Sequence, residues 1–382
     1  MHFKFSEEQE QLRESLLRFV QKDYSFEKRR EILASTDGHS RTVWQHFADF
    51  GLLSLGIPED DGGLGGNAVD LLRVMEVFGR GLIVEPYLST VVLGAGLLVR
   101  CGSAAQKSQL LPEIVAGSKR LALAHFEASA RYELSHVATT AQKDAHDKSG
   151  YVLNGSKSVV LHGGSADLLI VSTRTSGKPH DTAGLSLFLV DPKAKGVGLH
   201  SYPTHDGHRA AELTLKNVHV PGDALIGKKG SGLAEIEHTV QTGIAAVCAE
   251  AVGVMDALVE ATLAYLKTRK QFGVPIGSFQ VLQHRMADMV MQVEQARSMA
   301  YLASVKVDSG DADERRRTLA AAKAVVGQAA RFVGQQAVQL HGGIGVTEEL
   351  AVGHYFKRLT LINATFGDAD HHLGAFSDLL LA

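Results

Sequence analysis

Two stretches in the last third of the chain carry residue types that suit an anionic ligand. Arg269-Lys270-Gln271-Phe272-Gly273 sets a guanidinium beside a turn, and Gln339-Leu340-His341-Gly342-Gly343-Ile344-Gly345 sets a side-chain amide beside three glycines. Arginine presents a rigid planar fork that matches phosphate oxygens in pairs. Glycines permit close backbone approach and expose N–H groups. Standing alone, each stretch also reads as a helix terminus with a solvated arginine or a flexible turn. A third stretch, Phe366-Gly367-Asp368-Ala369-Asp370-His371-His372, holds two carboxylates and two imidazoles. Asp368 is a candidate general base, but Asp368 and Asp370 equally suit an exposed turn or a helix cap. His371 and His372 are adjacent, so on a helix their rings diverge and chelate poorly. No metal site is expected.

Such groups need a scaffold. A chain of 382 residues exceeds the length at which a single core stops growing, so two or three substructures are expected. Hydrophobic content of 45% with 21% charged residues is ordinary for a globular protein. A net charge of −3 gives no general attraction to nucleic acid or anionic lipid. The cysteines, Cys101 and Cys248, form neither a disulfide framework nor a metal motif. The most apolar early stretch, 87–99, ends at Arg100 and is too short for a membrane span. Acidic residues follow Met1-His2-Phe3-Lys4-Phe5-Ser6, where a signal peptide needs an apolar run. A cytoplasmic protein is expected.

Ser6 and Gln9 form a capping-box pattern, after which Leu12, Leu16, Phe19 and Val20 trace one helix face. Helical patterns run to about residue 117. The acidic break Pro58-Glu59-Asp60-Asp61-Gly62-Gly63-Leu64-Gly65-Gly66 reads as a turn rather than a phosphate cradle. From about Arg120, short apolar runs separated by Gly, Pro and Asn read as strands. Helical periodicity returns after Gly232 in stretches near 233–268, 278–308 and 313–340. Helix, then β, then helix argues for segregated layers and against a Rossmann fold.

Taken in order, these motifs resemble the acyl-CoA dehydrogenase family across essentially the whole chain. Besides the two glycine-associated stretches, the resemblance rests on Trp44-Gln45-His46-Phe47-Ala48-Asp49-Phe50-Gly51 with the following 58–65 turn. Tyr151-Val152-Leu153-Asn154-Gly155 and Val218-His219-Val220-Pro221 complete it. More narrowly, the chain is similar to the group named the small subunit of pimeloyl-CoA dehydrogenase. The resemblance implies an α+β fold with an N-terminal helical domain (1–118), a middle β-barrel (119–230) and a C-terminal four-helix bundle (231–382), assembled as tetramers. It implies FAD as cofactor, an acyl-CoA substrate and an electron-transfer flavoprotein as acceptor. Arg269, Gln271, Phe272, Gln339, Gly342 and Gly343 would then hold the FAD of a neighbouring subunit. Phe126 and Glu127 would stand at the flavin ring, in a stretch where the family has a Thr-Glu-Pro-x-x-Gly-Ser-Asp-like loop. Here that stretch lacks glycine and carries Arg131-Tyr132. The family's Trp-Ile-Thr segment reads Val159-Val160-Leu161, so a hydroxyl is lost and backbone donors must serve.

The family's reaction needs a carboxylate to remove the α-proton of a thioester. Matching the glycine of its Glu-Gly-Thr turn to Gly367 puts Phe366 at the glutamate; anchoring on Arg358 puts Ala364 there. A second family location for the base falls on Gly243, and the neighbouring family arginine falls on Ile244. Neither place holds an acid. The leading expectation is a FAD-associated subunit working with a homologous chain that supplies the base. The rivals are a self-sufficient homotetramer using Asp368 and a scaffold that has lost flavin.

Overall fold

The structure is a computed structural model that describes residues 5–145, 147 and 149–381. Its helices begin where the sequence supplies caps. Ser6 Oγ accepts the Gln9 N–H at 3.2 Å while Gln9 Oε1 accepts the Ser6 N–H at 3.0 Å, opening α1 (Glu7–Asp23). Helices α2 (Phe26–Ala34), α3 (Arg41–Asp49) and α4 (Ala68–Gly81) follow. After the π-helical segment Leu88–Ala95 come α5 (Gly96–Cys101) and α6 (Ala104–Val115). The 58–66 break is a turn. The N–H groups of Gly62, Gly63, Gly65 and Gly66 donate to the carbonyls of Glu59, Pro58, Ile57 and Leu55, which leaves these amides nothing to offer a phosphate.

The chain forms two compact units. One comprises Leu33–Asn67 and Val84–Gly243 and is built on β1 (Leu121–Ala124), β2 (Thr140–Lys143), β3 (Tyr151–Leu161), β4 (Leu168–Arg174), β5 (Leu185–Val190), β6 (Val197–Pro203), β7 (Arg209–Val220) and β8 (Leu225–Ile226). The strand path runs β6-β7-β3-β2-β4-β5-β8, and β1 joins parallel to β4. Alternating positions turn Leu153, Leu213, Phe188 and Val171 into its core.

The other unit comprises Met1–Ile32, Ala68–Ile83 and Ile244–Ala382. Its long helices are the greater part of α7 (Gly232–Thr268), α8 (Gln280–Lys306), α9 (Ala312–His341), α10 (Ala351–Ala364) and α11 (Ala369–Leu381). A two-stranded hairpin, β9 (Lys270–Gln271) and β10 (Val274–Pro275), links α7 to α8. By length and apolarity α7 is long enough to cross a membrane, but 83% of its most apolar window is buried in protein. It is a core helix. A buried bidentate pair, Arg358 Nε and Nη2 to Glu250 Oε1 and Oε2 at 2.5 and 2.7 Å, fastens α10 to α7. The thiols of Cys101 and Cys248 are unbridged, and burial pushes Cys248 up to about 12.

Candidate active site

The helical unit brings the two glycine-associated stretches together. Helix α7 ends at Thr268, and the β9–β10 hairpin turns on Phe272 and Gly273, both at positive φ (52° and 83°), as a tight two-residue turn requires. Arg269, Gln271, Gln339, His341 and Gly342 then line one groove of about 420 Å³. His341 stacks on Tyr265 with centroids 4.5 Å apart, and its Nδ1 lies 2.8 Å from the Ala337 carbonyl. A Cβ built on Gly342 or Gly343 would meet nothing within 4 Å, so the glycines leave open space over the groove. The Gly342 N–H itself is engaged by the Val338 and Gln339 carbonyls, so Gly342 contributes room rather than a donor. Phe272 is 90% exposed, with its edge toward Phe279.

Two further lining residues escaped the sequence reading. Tyr265 lies one turn before Arg269, a spacing that places both on one helix face. Arg285, near the start of α8, adds a second guanidinium; no motif marks it. Two fixed cations, an open glycine edge and an amide side chain fit a pyrophosphate-bearing ligand.

The sheet unit treats Phe126 and Glu127 differently. Glu127 is buried, and its carboxylate accepts Lys157 Nζ (2.8 Å), Ala138 N (2.8 Å), Thr139 N (3.0 Å) and Thr139 Oγ1 (2.7 Å). Burial alone would raise its pKa, but Lys157 and these hydrogen bonds hold it down at about 2. Lys157 is fully buried and also reaches the His125 carbonyl (3.1 Å) and Ser172 Oγ (3.0 Å). The Glu127 side chain therefore closes the base of the 127–139 loop, a contact that sequence spacing did not announce. Phe126 gives its carbonyl to the Ser158 N–H at 2.8 Å. Val159 sits at positive φ (52°) in a register shift of β3, and its N–H donates to Glu212 Oε1 at 3.2 Å. Two backbone donors of this stretch, Ser158 and Val159, are thus already spent within the protein.

The third stretch folds as the turn between α10 and α11. Phe366 is buried at φ 60°, and Gly367 follows at φ 106°. Asp368 Oδ1 accepts the His371 N–H at 2.8 Å and caps α11. Ala364 is exposed at the end of α10. His372 is buried, its Nε2 2.9 Å from the Phe366 carbonyl; burial pushes its pKa down to about 4, so the neutral ring donates there. Gly243 and Ile244 are buried on α7.

Helical, β and helical parts in this order make an α+β architecture whose groove suits a pyrophosphate-bearing ligand. The family models agree over most of the chain. Residues 6–118 match the acyl-CoA dehydrogenase N-terminal domain, 122–218 the middle domain and 230–377 the C-terminal domain. A probable acyl-CoA dehydrogenase, YngJ of Bacillus subtilis, is 30% identical over 377 residues, covering 97% of each chain. The chain belongs to the acyl-CoA dehydrogenase family of oxidoreductases. Among solved structures, a variant of the Tcur3481-Tcur3483 steroid ACAD is 30% identical with a TM-score of 0.87, covering 98% of each chain. The ChsE4-ChsE5 complex from Mycobacterium tuberculosis is 27% identical (TM-score 0.89; 100% and 99% covered). An FAD complex of PigA is 26% identical (TM-score 0.90; 100% and 99% covered).

Proposed function

We propose that this chain is a FAD-binding acyl-CoA dehydrogenase subunit that works in an α2β2 heterotetramer beside a homologous chain carrying the catalytic base. The observation that carries the reading is the 363–368 turn. The position matched to the family's glutamate holds the buried phenyl of Phe366 in one register and the methyl of Ala364 in the other, and the nearest carboxylate, Asp368, is engaged in capping α11. Gly243 offers no acid at the second location.

When bound, FAD supplies the acceptor for the hydride equivalent that leaves the acyl β-carbon. This chain's own part is binding. Arg269 and Arg285 neutralise the pyrophosphate, Gln339 orients it, Gly342 and Gly343 admit it, and the bare Phe272 packs on the cofactor of a neighbouring subunit, where Gln271 also contributes. Phe126 borders the ring through its backbone, while Glu127 holds the loop that does so. Similarity to the Tcur3481-Tcur3483 steroid ACAD and to the ChsE4-ChsE5 complex favours a paired assembly. The substrate is an acyl-CoA thioester, the acceptor an electron-transfer flavoprotein and the setting the cytoplasm. The pimeloyl-CoA dehydrogenase small-subunit group remains the narrower assignment we favour.

Co-expression with candidate homologues, followed by FAD stoichiometry and turnover on an acyl-CoA panel, tests the reading. A stable complex whose activity vanishes when the partner's base is removed is expected. A homotetramer that turns over unaided overturns it.

A further inference from the structure

Lys323 lies in the Ala-rich middle of α9 and is completely buried. Burying an ammonium costs several kcal/mol unless it is well hydrogen-bonded, and no step of the proposed function uses it. Its Nζ donates to the Asn363 carbonyl at 2.8 Å and to the Gly367 carbonyl at 2.6 Å, gripping both ends of one turn. Between those carbonyls lies Phe366, whose own carbonyl accepts from His372 at 2.9 Å. Asn363 Oδ1 takes the Ala369 N–H at 3.3 Å, and a Cβ on Gly327 of α9 would stand 2.3 Å from that oxygen, so glycine is required beneath it. A bulky residue at positive φ is rare and persists only where its surroundings over-determine it. Here the fixing groups are buried side chains on α9 and α11, next to a turn that carries no chemistry of its own. Burial pushes the Lys323 pKa down to about 8, which leaves most of its charge in place at neutral pH.

We propose that Lys323, aided by His372, is a positioning residue that keeps the 363–368 turn in the shape of a working base loop. The chain then lacks a carboxylate but not the platform for one, and Phe366→Glu installs it. The inference rests on the reading that Phe366 stands in the base position.

The test uses the full chain loaded with FAD and two readouts. The first is deuterium entry at the α-carbon of butyryl-, octanoyl- and pimeloyl-CoA in D2O, read by mass spectrometry. With no added electron acceptor each flavin can take only one hydride equivalent, so deuterium entering beyond one equivalent reports proton exchange: the installed carboxylate takes the α-proton and a solvent deuteron returns to the same carbon. The second is amide hydrogen exchange across residues 363–372. Phe366→Glu should raise α-deuteration about 100-fold over the parent chain, the lower end of general-base contributions, with a rise in pH that follows one carboxylate. Adding Lys323→Met should erase about 10-fold of that gain and speed amide exchange in the turn about 10-fold, with FAD content unchanged, whereas Lys323→Arg should restore much of both. If Lys323→Met does not fold, His372→Phe is judged by the same two readouts.

A folded, FAD-loaded Phe366→Glu chain without α-deuteration on any of the three thioesters overturns the platform. A gain that survives Lys323→Met undiminished overturns the role of Lys323. A parent chain that already deuterates as fast as Phe366→Glu instead sinks the proposed function, and the amide-exchange arm still judges Lys323.

Discussion

The Arg269 groove and the 363–368 turn lie in the same helical unit and make opposite use of their polar groups. Around the groove, Arg269, Gln271 and Gln339 are exposed, and the space over Gly342 and Gly343 is open. In the turn, the carbonyls of Asn363, Phe366 and Gly367 and the carboxylate of Asp368 all have partners inside the chain. Polar groups left for solvent can be turned over to a ligand at little cost, whereas a group already bonded must first be released. The contrast is the one expected of the proposed division of labour, in which this chain binds the cofactor and its partner moves the proton. The 127–139 loop belongs with the turn, since Glu127 is satisfied from within by Lys157 and Thr139.

The internally committed regions should therefore fail through stability and the groove through affinity. The largest effect is expected at Lys157. Lys157→Met leaves the buried Glu127 carboxylate without its cation, and breaking one side of such a pair costs about 3–5 kcal/mol. A lowered melting temperature would register this, and an unchanged one would remove the pair from the loop's support. Acid should act on the same contact. A carboxyl held down at about 2 contributes stability that is complete above its ordinary value of 4.5 and is lost as pH falls through about 2. Acid unfolding of the parent chain should thus show a contribution in that window that Lys157→Met no longer shows.

Arg269→Ala comes next. Losing a charge-assisted contact worth about 1.5–3 kcal/mol should weaken FAD binding roughly 10- to 150-fold, with the melting temperature of the apoprotein unchanged. Dialysis followed by flavin absorbance measures it, and full retention would mean that the groove does not face the pyrophosphate. The smallest effect belongs to Asp368. Asp368→Ala should cost about 0.5–2 kcal/mol as a lost helix cap, while Asp368→Asn caps equally well and should leave both stability and the turnover of the assembled complex unaltered. A collapse of turnover in Asp368→Asn would move this residue from scaffold to chemistry.

How much of this was legible in the sequence depended on the range of the contact. The Ser6–Gln9 capping box spans four residues and was visible at once. The basic stretch and the glycine-rich helix end each carry a local signature, but their joint role followed only from the family resemblance. Tyr265 was recoverable from helical spacing alone. Lys157 and Glu127 lie 30 residues apart in different elements, and Lys323 lies 40 residues before Asn363 in an alanine-rich helix where a lysine reads as solvent-facing. Only three-dimensional packing reveals that these lysines are buried. The positive φ of Phe366 was equally hidden, since nothing in Thr365-Phe366-Gly367 compels a phenylalanine into that conformation.

The most direct measurement of the central claim is turnover of the isolated, FAD-loaded chain with a ferricenium-type acceptor, set beside the chain assembled with its homologous partner. General-base catalysis contributes about 10²–10⁴-fold, so the isolated chain should fall short of the complex by at least about 100-fold. Turnover equal to that of the complex, persisting in Asp368→Asn, would contradict the division of labour between the two chains.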